Sequence, residues 1–276
     1  MNWMQSILYG IVSGISEFLP VSSRAHQRIV LYIFGVQGTD PALSLVVHLS
    51  LLLALYFGLR DYLLQIRREQ ILKRRNKKRS SMETYPALAD LRVVKTAVFP
   101  MFIGIFLLRY IFYTELIIPY VAMVLAINGF ILYLPQRMMQ GNKGANQLSK
   151  FDSTLMGFAY SLTCLTGLSG IGAAISVAQM RGSNREKALN WALLLSVPAL
   201  LLLCGIDLFS IFASSENVRL LPNFLCYLLT GAISFAAGYS GIALLKRILL
   251  RDKYSIFTFY CWGTALLLFL LYLTVA

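Results

Sequence analysis

Apolar residues run almost without interruption over six stretches, at roughly 43–59, 97–114, 117–135, 189–206, 221–245 and 255–275. Each is long enough to cross a hydrocarbon core of about 30 Å as a helix. Two further stretches, 2–36 and 152–182, are apolar but interrupted by Pro, Gly and Ser, and each predicts a pair of shorter helices rather than one clean crossing. The pattern predicts an all-α polytopic membrane protein with six full transmembrane helices and two broken, re-entrant helix pairs. Composition agrees: 58% of the 276 residues are hydrophobic and 13% charged, against about 25% charged in a soluble domain. The chain reads as a single integral membrane domain, 1–276.

The formal net charge of +13 would suit nucleic acid on a soluble fold, but the basic residues gather at the ends of spans, so nucleic acid is not an expected partner. They report orientation instead. The run RREQILKRRNKKR (67–79), then Arg137, Lys143 and Lys150, then Arg181, Arg185 and Lys187, then Lys246, Arg247, Arg251 and Lys253 mark four connections. The positive-inside rule assigns all four to the cytoplasm, where they also meet anionic headgroups, and assigns Thr39-Asp40, Glu115 and Ser214-Ser215-Glu216 to the outside. With that alternation, three spans beginning inward follow segment 2–36, and three beginning outward follow 152–182. The halves, 1–136 and 151–276, therefore have opposed topology, the outline of an inverted repeat whose broken helices meet near the midplane. Eight ordinary helices with tolerated Pro and Gly are the competing reading. Met1-Asn2-Trp3-Met4 carries no basic n-region, so the N-terminus is expected to be mature chain. Cys164, Cys204, Cys226 and Cys261 lie singly in apolar segments and read as small buried hydrophobes.

Candidate chemistry sits in the two interruptions. In ISEFLPVSSRAH (15–26), Pro20 stops a helix over 2–18 and Ser22 or Ser23 can cap a new one. The cap leaves backbone N–H groups and a positive helix end facing the break, a pocket suited to phosphate, with Arg24 and His26 on the first turn beside it. An ionised side chain near the membrane centre costs about 2.5–3.5 kcal/mol, so Glu17, Arg24 and His26 are expected to face one another or a water-filled cavity. A carboxylate, hydroxyls, an imidazole and a guanidinium together suit phosphoryl chemistry. Charges that merely snorkel from an interfacial segment are the alternative. His48, alone in an apolar span, reads as a packed or hydrogen-bonded core histidine. The second interruption, TGLSGIGAA (166–174), has Gly167, Gly170 and Gly172 for close backbone approach and Ser169 as a cap; small-residue helix packing explains it equally well.

These motifs resemble the undecaprenyl-diphosphate phosphatase family of the BacA/UppP type. Its first signature, approximately E-G-x-T-E-F-L-P-V-S-S-T-G-H, stands against S-G-I-S-E-F-L-P-V-S-S-R-A-H at 13–26, and its second, P-G-x-S-R-S-G-A-T, against 166–174. HLSLLLALYFGLRDYL, SNREKALNWALLLSVPAL and GYSGIALLKRIL extend the likeness along most of the chain. The resemblance implies an inverted-repeat fold in a bacterial plasma membrane, with a site opening to the outer face. It implies hydrolysis of a polyprenyl diphosphate to the monophosphate carrier of wall synthesis. It also implies Glu17, Ser23 and His26 as catalytic residues and Ser22 and Ser169 as phosphate-binding positions, and the residues beside the same pocket add Arg24 and Gly170 as phosphate-binding candidates. The family's first glutamate is Ser13 here and its motif arginine is Gly170, while Arg24 stands where the family has threonine and offers a relocated charge. With those two positions changed, the alternative is a hydrolysis-deficient polyprenyl-phosphate binding protein or flippase. No cofactor is fixed by the residues; a divalent cation, Mg2+ or Ca2+, and a homodimer are what the family leaves open.

Overall fold

The computed structural model describes residues 2–36, 40–75, 85–111, 118–139, 141–213 and 220–275. The expected external positions Thr39, Glu115 and 214–216, and the end of the basic run at 76–79, lie outside these described residues. The helices are α1 (Trp3–Phe18), α2 (Ser23–Ile33), α3 (Pro41–Gly58), α4 (Arg60–Arg75), α5 (Pro86–Ile111), α6 (Ile118–Tyr133), α7 (Lys150–Ser161), α8 (Gly170–Met180), α9 (Arg185–Ala213), α10 (Leu220–Leu250) and α11 (Ser255–Val275). All six apolar stretches fall on helices long enough to span a bilayer: α3, α5, α6, α9, α10 and α11. The two interrupted stretches form α1 with α2 and α7 with α8, and the polypeptide is all-α among the described residues.

Helix boundaries depart from the hydropathy pattern where charged residues find partners. The stretch expected at 97–114 is helical from Pro86, because the carboxylate in its first turns, Asp90, is satisfied by tertiary contacts. Asp90, fully buried, accepts hydrogen bonds from Lys187 Nζ at 2.7 Å, Trp191 Nε1 at 2.8 Å and the Tyr62 hydroxyl. The basic run read as a connection is largely helical: α4 carries Asp61 in its first turn and Lys73, Arg74 and Arg75 in its last, matching the helix dipole at both ends. Its Glu69 turns inward and accepts the backbone N–H of Leu88 at 3.0 Å, joining α4 to the start of α5.

Packing follows a paired scheme. α1 lies along α10 and α7 along α5; α3 packs on α10 and α9 on α5; α3 meets α9, and α6 meets α11. The first two contacts need backbone-to-backbone approach. A Cβ on Gly14 of α1 would stand 2.6 Å from Ser234 O of α10, and one on Gly157 of α7 only 2.1 Å from Ala97 O of α5. Where lipid is as apolar as the helix, such close van der Waals contact is the main source of association. Between α3 and α9, His48 Nδ1 and Asp207 Oδ2 are 2.6 Å apart, so His48 is the hydrogen-bonded interior histidine the sequence suggested.

Removing the Asp90 carboxylate leaves a lysine and two further donors without their shared acceptor. Asp90→Ala is expected to destabilise the protein by about 3–5 kcal/mol, read as a lowered thermal midpoint in detergent. Lys187→Met should cost less, because Tyr62 and Trp191 still satisfy the carboxylate.

Candidate functional site

The ring of Pro20 has no N–H to continue α1, which ends at Phe18 with Leu19 extended. The chain then reverses through Ser22, a non-glycine residue at φ +69°, a backbone conformation that costs on the order of 1–3 kcal/mol and persists only when surroundings enforce it. Here the surroundings are the second break. Ser22 Oγ caps α2 by accepting Ala25 N–H at 3.5 Å and also accepts Gly167 N–H at 3.0 Å. Gly167, at φ +122°, adopts a conformation open to glycine. In return, Ser169 Oγ caps α8 by accepting Gly172 N–H at 3.2 Å and donates to Leu19 O at 3.5 Å. The two interruptions are thus hydrogen-bonded to each other.

Asn128 of α6 pins both. Its side-chain amide donates to Pro20 O at 3.0 Å and to Cys261 Sγ at 3.2 Å, while its oxygen accepts Ser169 N–H at 3.0 Å. The side chain is fully buried, so these bonds are made without competing water.

Around this junction the predicted site residues divide into two groups. Ser22 and Ser169 are buried, with hydroxyls engaged by the opposite break. Glu17, Ser23, Arg24 and His26 are half-buried. Arg24 Nη1 donates to Cys164 O at 3.2 Å, which carries its guanidinium across to the end of the second break. His26 Nδ1 lies 2.8 Å from the Ser22 carbonyl and Nε2 lies 2.7 Å from the Tyr260 hydroxyl, with the two rings stacked at 5.7 Å. A carbonyl only accepts, so Nδ1 carries the proton; in neutral imidazole Nε2 therefore accepts from Tyr260. Glu17, on the last turn of α1, interacts electrostatically with Tyr160 of α7.

Ser13 and Gly170, where the resemblance expects a carboxylate and an arginine, are both buried in packing. A Cβ at Gly170 would lie 2.5 Å from Tyr160 O and 2.8 Å from Thr163 Cβ, so the end of α7 and the turn after it occupy the space any side chain would need. Among the described residues no three His, Cys, Asp or Glu side chains gather into a metal-holding group. One carboxylate, with Ser13 in place of a second, does not match the several oxygen ligands of Mg2+ or Ca2+. Two residues escaped the sequence reading. Asn128 leaves a faint trace as an amide inside the apolar run VAMVLAINGFILY, whereas Tyr260, in FTFYCWG, leaves none.

Asn128→Leu strands Pro20 O and Ser169 N–H in a dry interior, with an expected cost of about 1–3 kcal/mol for each group, measured by thermal unfolding. Gly170→Ala is expected to destabilise by about 1–3 kcal/mol through overpacking. Gly170→Arg should lower the midpoint further rather than rebuild the motif.

The chain matches the family described as bacitracin resistance protein BacA over residues 6–267. It is 29% identical over 266 residues to an undecaprenyl-diphosphatase of Carboxydothermus hydrogenoformans, covering 95% of this chain and 94% of that protein. It is 28% identical to undecaprenyl-diphosphatase 1 of Shouchella clausii, covering 98% and 96% of the two chains. It is 29% identical to an undecaprenyl-diphosphatase of Methanobrevibacter smithii, covering 98% of each. With its length matched almost end to end and its two interrupted helices joined at one junction, this multi-pass membrane protein belongs to the BacA family.

Proposed function

We infer that the protein is an undecaprenyl-diphosphate phosphatase that hydrolyses the lipid diphosphate to the monophosphate carrier. The observation that carries this reading is the junction itself: two broken helices joined by Ser22–Gly167 and Ser169–Leu19 hydrogen bonds, with Glu17, Ser23, Arg24 and His26 beside it. The relatives' shared name supplies the substrate. An inverted repeat of 1–136 and 151–276 is supported by the exchange of partners in packing, α1 with α10 against α7 with α5, and α3 with α10 against α9 with α5. With the basic connections in the cytoplasm, the site opens to the outer face.

In this reading Glu17 removes a proton from the nucleophile, the Ser23 hydroxyl or a water, as its oxygen attacks the terminal phosphorus. The bond from that phosphorus to the bridging oxygen breaks, and its electron pair leaves on the lipid monophosphate. If Ser23 attacked, water then cleaves the phosphoserine and releases phosphate. Negative charge spreads over the equatorial oxygens in transit, and a guanidinium in a low-dielectric site stabilises it. Arg24 supplies that charge in place of the absent motif arginine, and its 3.2 Å bond to Cys164 O holds it over the second break. Neutral His26 has its one proton committed to Ser22 O. It acts as proton donor only as imidazolium, through Nε2, once Tyr260 yields that position. Ser22 and Ser169 act as braces that aim backbone N–H groups at the phosphate.

A second reading, a polyprenyl-phosphate binder or flippase of the same fold, is favoured by one observation: Tyr160 O and Thr163 close over Gly170 and leave no room for a motif arginine. Liposomes separate the two, since a flippase moves the headgroup between leaflets without releasing phosphate.

Purified protein given undecaprenyl diphosphate is expected to release phosphate. Glu17→Gln and Arg24→Ala should each lower kcat at least 100-fold with thermal midpoints preserved. Zero turnover across pH by the unaltered protein, with headgroup translocation intact, would shift the assignment to the flippase. Tyr260→Phe removes the donor to His26 Nε2 and is expected to move the alkaline limb of the pH–rate profile, the side on which a protonated donor is lost, while leaving KM within about twofold; an unmoved limb would show that His26 does not titrate in the reaction.

A further inference from the structure

Away from the junction, three basic connections converge on a cavity of about 240 Å3. Its walls come from the short 3-10 turn after α6 (Leu134–Arg137), the α8–α9 turn and the α10–α11 turn. The walls are locked together. Gly182, at φ +91°, reverses the chain after α8, and its carbonyl accepts Lys143 N–H at 2.9 Å. Gly141 packs directly on it, where a Cβ would stand 1.9 Å from Gly182 O.

The polar groups inside are unevenly satisfied. The hydroxyl of Ser183, a residue 3% exposed, and the amide nitrogen of Gln179 have no hydrogen-bond partner, and both residues line the cavity. A buried donor without an acceptor costs about 1–3 kcal/mol, and two on one cavity call for something that accepts. Gln136, also on the wall, has its amide nitrogen engaged by Leu132 O at 2.7 Å and Thr258 Oγ1 at 3.1 Å. The start of α9 adds its own positive end, with Asn184 as its cap, accepting Lys187 N–H at 2.8 Å. Arg185 Nη2 stands 2.5 Å from Asp252 Oδ1, so the one carboxylate of the wall is already neutralised. Lys143, Arg251 and Lys253 lie on the surrounding connections and raise the local positive potential, whereas Arg181 and Lys187 are already paired with Asp152 and Asp90.

We propose that this cavity is a second, oxyanion-binding site on the basic face, taking a phosphate group through Ser183, Gln179 and Arg185. The volume admits orthophosphate or a phosphate monoester headgroup. On binding, Arg185 exchanges Asp252 for the oxyanion, so Asp252 is the competitor that sets affinity. The same chemistry has two sources, free phosphate in the cytoplasm or a lipid monophosphate in the inner leaflet. The site stands independently of the hydrolysis reading.

The test is calorimetric titration of inorganic phosphate into the full-length protein in nanodiscs, in an Arg24→Ala background that removes the cation from the helix-break junction. Saturable binding is expected, weakened at least tenfold by Arg185→Gln and by Ser183→Ala with Gln179→Leu, and tightened severalfold by Asp252→Asn, which does not depend on a destabilised variant. A second arm adds a short-chain prenyl monophosphate. Competition with phosphate identifies a lipid headgroup site, and phosphate binding without competition identifies a soluble-phosphate site; either outcome upholds the proposal. No saturable phosphate binding in the Arg24→Ala protein, or binding unchanged in the Ser183, Gln179 and Arg185 variants whose midpoints are preserved, would show that the cavity holds water alone.

Discussion

A helix that stops inside a bilayer leaves peptide groups with no water to meet them, and each unmet group costs on the order of several kcal/mol. Two helix pairs stop that way here. Their exposed groups are satisfied by one another: Leu19 O by Ser169, Gly167 N–H by Ser22, and Pro20 O and Ser169 N–H by the same Asn128 side chain. Neither break satisfies these groups alone, so the pairs must meet, and α6 must bring Asn128 between them.

That requirement propagates outward. Holding α1 and α7 deep enough to meet demands tight partners along their lengths, which α10 and α5 provide through backbone contact at Gly14 and Gly157. Charges carried into the same interior are handled by the same logic of local satisfaction. Asp90 gathers Tyr62, Lys187 and Trp191, His48 meets Asp207, and Asp152 meets Arg181. Each of these contacts ties together separate helices, so they also fix which helices are neighbours.

The junction also divides labour among residues that look alike in the motif. Ser22 and Ser23 are adjacent serines, yet Ser22 is consumed as a brace at a strained φ while Ser23 stays half-buried on the first turn of α2. His26 is held at both ring nitrogens, which selects one tautomer. Gly170 has no side chain, and the Tyr160 carbonyl and Thr163 close directly over it. Arg24 reaches across from the first motif to the same neighbourhood.

The sequence by itself determined the membrane class, the six spans and the two interruptions, because bilayer thickness and the missing N–H of Pro20 act on local residues alone. It also singled out Glu17, Ser23, Arg24 and His26, since charged and polar side chains are conspicuous against an apolar background. Tertiary structure alone decided what lay beyond. The first turns of α5 are helical because Asp90 finds three distant donors, and Asn128 and Tyr260 matter because of partners more than a hundred residues away. Whether a glycine or a serine is filler or a pin depends on which backbone arrives opposite it, and that is settled when helices pack.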